Sequence, residues 1–159
     1  MKKSIVSLFI VLLLAGCSSS GNMPLSKEYT RIENRAIDTD RMMSSFSSSD
    51  QNMDDGSIIT SFYHNGILKK IHIEKDIVGG LESRDCYFHQ WRISYITDTR
   101  TFLDMGPGNN TTREAYYFKD DNLIGWRKPD GSIVTSGTAF NNKETELLAD
   151  VEKYLLMNQ

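Results

Sequence analysis

Few side chains in this chain have the chemistry of nucleophiles or metal ligands. Among its 159 residues there are two cysteines, Cys17 and Cys86, and three histidines, His64, His72 and His89. Metal binding requires two or three converging ligands. His64 and His72 belong to the two strands of a predicted hairpin whose simplest register sets them on opposite faces, so they read as surface or rim residues. Cys86 and His89 are a thiol–imidazole pair by type. Residues three apart in a strand point to opposite faces, however, and a buried, inert thiol is expected. Asp54-Asp55 and Asp120-Asp121-Asn122 lack the spaced oxygen ligands of a calcium loop and fit ordinary turns. There is no glycine-rich phosphate loop, no Ser-His-Asp order and no paired-carboxylate signature. These residues lead to an expectation of no catalysis, no metal and no cofactor.

Cys17 sits in a different context. Lys2 and Lys3 begin the chain, Ile5 to Leu14 is apolar except for Ser7, and Leu14-Ala15-Gly16-Cys17 follows. A charged start, a ten-residue apolar run and small residues at its end make an export leader. The run is too short to span a bilayer, which needs roughly 20 residues. Leu14-Ala15-Gly16-Cys17 resembles the lipobox of bacterial lipoproteins at every position. That resemblance covers only the leader. It implies cleavage before Cys17 and acylation of its sulfur and new amine. It further implies retention by palmitate-type chains, each buried methylene contributing about 0.8 kcal/mol. In this family an aspartate after the cysteine favours the inner membrane. Ser18 stands there, which implies anchoring in the outer membrane, facing the periplasm.

The expected organisation is a leader over 1–16, a lipidated polar tether over 17–25 and a single domain over 26–159. Loss of Lys2 and Lys3 moves the net charge from −3 to −5. An acidic body of this kind is neither a general nucleic-acid binder nor drawn to anionic lipid, leaving the acyl chains to hold it to the bilayer.

Within the domain, Leu25, Tyr29, Ile32, Ala36, Met43 and Phe46 fall at helical spacing, and the stretch from Ser44 to Gly56 reads as a loop. Asn65-Gly66 predicts a type I′ hairpin between Ser57–His64 and Ile67–Glu74. Its simplest register puts Ile58, Thr60, Phe62, Ile67, Ile71 and Ile73 on a core face. Lys69 then falls on the apolar side, at the sheet rim. Arg84 to Thr97 is one long strand or a hairpin turning near His89-Gln90, with Tyr87, Trp91, Ile93 and Tyr95 on one side. A further strand runs over 99–104, and the glycine-rich segment after it is a loop. A second hairpin joins Arg113–Phe118 to Leu123–Arg127, with Glu114 opposite Arg127. A short strand runs from Ser132 to Thr135. A final helix capped by Asn141 or Asn142 carries a stripe of Leu147, Leu148, Val151, Tyr154 and Leu155. Glu146, Asp150, Glu152 and Lys153 point away from it.

These elements predict an α+β fold: an antiparallel β-meander of about five to seven strands packed against a C-terminal helix. An N-terminal helix packs on the same or the opposite face. The second hairpin is apolar on both sides, with Ala115, Tyr117, Ile124 and Trp126 on one and Tyr116, Phe118 and Leu123 on the other. Either helices cover both faces, or Tyr116, Phe118 and Leu123 form an exposed partner-binding patch. The functional expectation is an envelope lipoprotein acting as a non-catalytic protein-binding module in envelope assembly or secretion. The alternatives are an inhibitor or immunity protein that plugs an enzyme with its 106–112 loop, and a small periplasmic hydrolase or ligand-binding domain.

Overall fold

The computed structural model describes residues 25–103 and 110–157. Cys17, the tether up to residue 24 and most of the 106–112 loop lie outside the described residues, and Leu25, expected to end the tether, begins the first helix. The fold is α+β. Helix α1 (Leu25–Met42) ends in a 3-10 turn at Met43–Ser45. Eight strands follow: β1 (Ser47–Asn52), β2 (Ile58–His64), β3 (Ile67–Ile77), β4 (Gly80–His89), β5 (Arg92–Phe102), β6 (Asn110–Lys119), β7 (Asn122–Arg127) and β8 (Ile133–Val134). Helix α2 (Thr138–Met157) closes the chain. The strands lie in the sheet in sequence order, each antiparallel to the next, as a meander. The stretch expected to be a loop after α1 contains β1, whose six residues are all exposed. Its Ser-Ser-Ser-Asp-Gln-Asn sequence has no apolar period to reveal a strand, and the register with β2 is held through the backbone.

Three hairpins share one construction. Each turns through two residues of positive φ: Asn65 and Gly66 (52° and 75°), Gln90 and Trp91 (51° and 67°), and Asp120 and Asp121 (51° and 63°). This is the type I′ geometry, whose twist matches that of the strands it joins. Each turn follows an aromatic doublet and one further residue: Phe62-Tyr63, Tyr87-Phe88 and Tyr117-Phe118. In each, the second aromatic pairs with an aliphatic residue across the turn, giving Tyr63–Leu68, Phe88–Ile93 and Phe118–Leu123. In each, the returning strand then carries one extra residue, a β-bulge at Lys69, Ser94 or Ile124.

The bulges correct several expectations, because a one-residue slip moves a whole strand segment to the other face. Ile59, Ser61, Ile71 and Ile73 are buried on one face of the first hairpin and Lys70 on the other, while Ile58 is 45% exposed. Lys69 is the bulge residue itself. Arg84 to Thr97 is a hairpin, with Trp91 in the turn and Tyr87 and Ile93 in different cores. The expected strand over 99–104 is the end of β5. Trp126 sits with Tyr116, and Ala115 faces Arg127 where Glu114 was expected.

The helices cover opposite faces of the sheet. Phe140, Leu147 and Val151 of α2 pack with Ile71, Cys86, Phe88, Ile96, Tyr116, Phe118, Leu123 and Trp126. Tyr29, Ile32 and Ala36 of α1 pack with Tyr87, Tyr95, Ala115 and Tyr117. α2 starts about one turn earlier than its asparagines suggest, from Gly137, because Phe140 enters the core. The expected partner patch is therefore closed: Tyr116, Phe118 and Leu123 are only 1%, 2% and 5% exposed, under α2. A sheet apolar on both faces needs two covers, and the terminal helices supply them.

Candidate functional site

The α1 face carries the densest polar chemistry. Downstream of each bulge, Lys70, Tyr95 and Gly125 pair with Phe62, Tyr87 and Tyr117, and α1 runs across this row. Tyr29, near the start of the helix, drops into the gap at Gly125, and its hydroxyl donates to Ile124 O at 2.9 Å. A Cβ on Gly125 would lie 2.5 Å from that hydroxyl, so the close approach requires glycine there. Eleven residues later Asp40 reaches Lys70. That helical rise of about 16 Å matches the spacing of four strand steps, about 19 Å. Between these ends the rings of Tyr87, Tyr95, Tyr117 and Tyr29 form a row, with successive centroids 5.8, 5.3 and 4.4 Å apart.

Two charge clusters hold the row. Lys70 is buried, with Nζ 2.9 Å from Asp40 Oδ1, 3.0 Å from Asp85 Oδ1 and 3.2 Å from the Tyr87 hydroxyl. Tyr87 donates to Asp40 Oδ2 at 2.8 Å, and Asp85 holds His72 Nδ1 at 2.7 Å. Burial, then the neighbouring Asp85, pushes the Tyr87 phenol up, so it stays a neutral donor. The Asp85 hydrogen bond raises the His72 pKa above its ordinary value. Burial works to raise Asp85, but the hydrogen bond from His72 and the charge of Lys70 outweigh it and hold the carboxyl low. At the other end, Glu33 Oε1 accepts from Tyr117 and from Arg127, each at 2.6 Å. Burial and that hydrogen bond push the Tyr117 phenol up.

The opposite face has its own network. Arg84 forks onto Asp98 at 2.6 and 2.9 Å and reaches Asp150 of α2 at 2.5 Å. Asp150, expected to point away, is the clasp of α2. Glu114 accepts from Tyr116 at 2.5 Å and Trp126 at 3.0 Å. Cys86 is fully buried beside Arg84, and burial pushes its thiol far up despite that cation. An unreactive thiol follows.

The remaining candidates are dispersed. The Lys69 bulge brings His64 to the α1 side with His72, against expectation, but His72 binds Asp85 and Glu74 while His64 packs on Phe46 at 5.3 Å. Among the described residues no three His, Cys, Asp or Glu side chains converge on a metal geometry. Asp55 takes Ser57 and Lys75 as partners, and those hydrogen bonds hold its carboxyl below the usual range. Several clefts flank α1. One, about 350 Å³, has Glu33, Asp40, Tyr87, Tyr95 and Arg113 in its walls. Another, about 240 Å³, opens beside the first two hairpin turns. Sequence reasoning missed Lys70, Asp40 and Asp85 as partners. The one visible signal was that Lys69 and Lys70 are adjacent and cannot both alternate outward. The chain matches no protein-family model, no curated protein and no solved structure.

Proposed function

We propose that this protein is a bacterial envelope lipoprotein, held by acylated Cys17 at the periplasmic face of the outer membrane, whose folded domain is a non-catalytic protein-binding module. The Leu14-Ala15-Gly16-Cys17 sequence supports the anchor. The observation that carries the binding module is at the far end of the sheet. Val78, in the β3–β4 turn, is 101% exposed and Leu103 is 60% exposed. The two segments are joined by Leu103 N donating to Gly79 O at 2.9 Å. Large apolar side chains presented together outside the core serve binding better than folding. The buried titratable groups, in contrast, neutralise one another, as Lys70 does with Asp40 and Asp85. Such paired groups hold the fold, which supports the non-catalytic reading.

The test has two arms. Wild-type chain should incorporate labelled palmitate in its native host and Cys17→Ala should not. A photo-crosslinking side chain at position 78 should capture one envelope protein reproducibly, and one at Lys153 on the exposed side of α2 should not. Absence of label in the wild type refutes the anchor. Indistinguishable crosslinks from the two positions refute the docking end.

A further inference from the structure

The cleft beside the first two hairpin turns combines unpaired positive charge with an apolar wall. Lys69 reaches it because the bulge turns it to the same side as Lys70, and Arg35 reaches it from α1. Bulges often re-aim a side chain in this way next to a site. Most cations of the described chain have carboxylate partners, including Arg31, Lys70, Arg84 and Arg127. Arg35 and Lys69 have neither a hydrogen-bond nor an ion-pair partner for their side-chain nitrogens among the described residues. The one carboxylate in the wall, Asp38, faces Arg41 at 3.3 Å. His64 and His89 add two imidazoles, and Met42 and Phe46 supply the apolar side. Burial, then the charges of Arg35, Lys69 and Arg31, hold the His89 pKa below its ordinary value. Positive charge thus exceeds negative here, with Asp38 in the wall and the charge of Glu28 acting on Arg35 offsetting it only in part, on a chain of net charge −3.

We propose that this cleft binds a small phosphate ester, its anionic group between Arg35, Lys69 and His89 and its apolar group against Phe46 and Met42. Guanidinium and ammonium groups suit phosphate oxygens. At about 240 Å³ the cleft falls below the roughly 300–1,000 Å³ of drug-sized sites, so it takes a small ester or the headgroup of a larger one. The inference goes beyond the anchored protein-binding reading and stands whether or not Cys17 is acylated.

The purified full chain in a nonionic detergent is titrated with phenyl phosphate, with dihexanoylphosphatidylglycerol and with inorganic phosphate, followed by NMR of the histidine rings. Saturable binding of phenyl phosphate assigns a free phosphate ester, and binding of the short-chain lipid alone assigns a headgroup. Either supports the site if binding raises the His89 pKa. Arg35→Gln and Lys69→Gln should each weaken binding about tenfold, the value of one charge-assisted contact. Lys153→Gln should leave it unchanged. Inorganic phosphate should bind at least about tenfold more weakly than the preferred ester, because it leaves the apolar wall unused. The proposal is overturned if neither ester shifts the His89 resonances by about 10 mM, the weak end of specific affinity. It is also overturned if Arg35→Gln and Lys69→Gln bind as wild type does, or if inorganic phosphate binds as tightly as the esters.

Discussion

Replacing Lys70 with methionine tests the pairing that ties α1 to the sheet. Methionine keeps the length and apolar stem of the side chain and removes the ammonium. The lysine is 7% exposed and lies within 3.0 Å of two carboxylates. Truncating one partner of a fully buried ion pair costs about 3–5 kcal/mol. That figure is too large here. Asp40 is 44% and Asp85 23% exposed, so water solvates both once the lysine is gone. Each also keeps a second donor, Tyr87 for Asp40 and His72 for Asp85. A loss of about 2 kcal/mol is expected from these geometries. At roughly 3–4 °C per kcal/mol for a domain of this size, the Tm falls by about 7 °C. Circular dichroism of wild-type and variant chains at pH 7 measures it. Because Lys70→Met leaves Asp85 under-paired, adding Asp85→Asn should return about 1 kcal/mol relative to the sum of the single changes. A Lys70→Met chain as stable as wild type, or a double variant that is simply additive, would refute the argument that the ammonium compensates both carboxylates.

Two further outcomes follow from the same face. Gly125→Ala should destabilise by about 1–3 kcal/mol, as overpacking does, because the new Cβ meets the Tyr29 ring; hydrogen exchange in α1 should quicken while that in α2 is unchanged. For His72, the folded pKa lies above the ordinary value. Its contribution is complete below about pH 6.5 and is lost as pH rises through the folded pKa. The stability advantage of wild type over His72→Gln should therefore shrink on going from pH 6 to pH 8, and taking the difference between the two chains removes His89, whose shift runs the other way; a pH-independent difference would contradict the His72–Asp85 link.

The chain shows how bulges separate a readable fold from an unreadable register. Asn65-Gly66 was legible because both residues accept positive φ at little cost. Gln90-Trp91 makes the same turn with residues that rarely signal it, and Asp120-Asp121 sits within a run of turn-forming residues that hides which two make the turn. Without that signal, the last hairpin reads as a four-residue loop from Lys119 to Asn122 with no bulge, which puts Trp126 and Tyr116 on the wrong sides. The aromatic doublets before all three turns were in the sequence. Their meaning depends on the extra residue after each turn, and no local propensity marks it.

By itself the sequence determined what short-range physics controls. The period of apolar residues in α2, the backbone freedom of Asn65-Gly66, and the alternation that makes an antiparallel meander the natural home of these strands are all properties of neighbouring residues. Tertiary structure alone decided which helix covers which face, that Tyr116, Phe118 and Leu123 lie inside, and that Asp40, Lys70 and Asp85 meet. The reason is that burial on both sides of a sheet is shared among segments far apart in the chain. A bulge that looks neutral locally is selected because it lets both aromatic faces be covered and both sets of charges be paired at once.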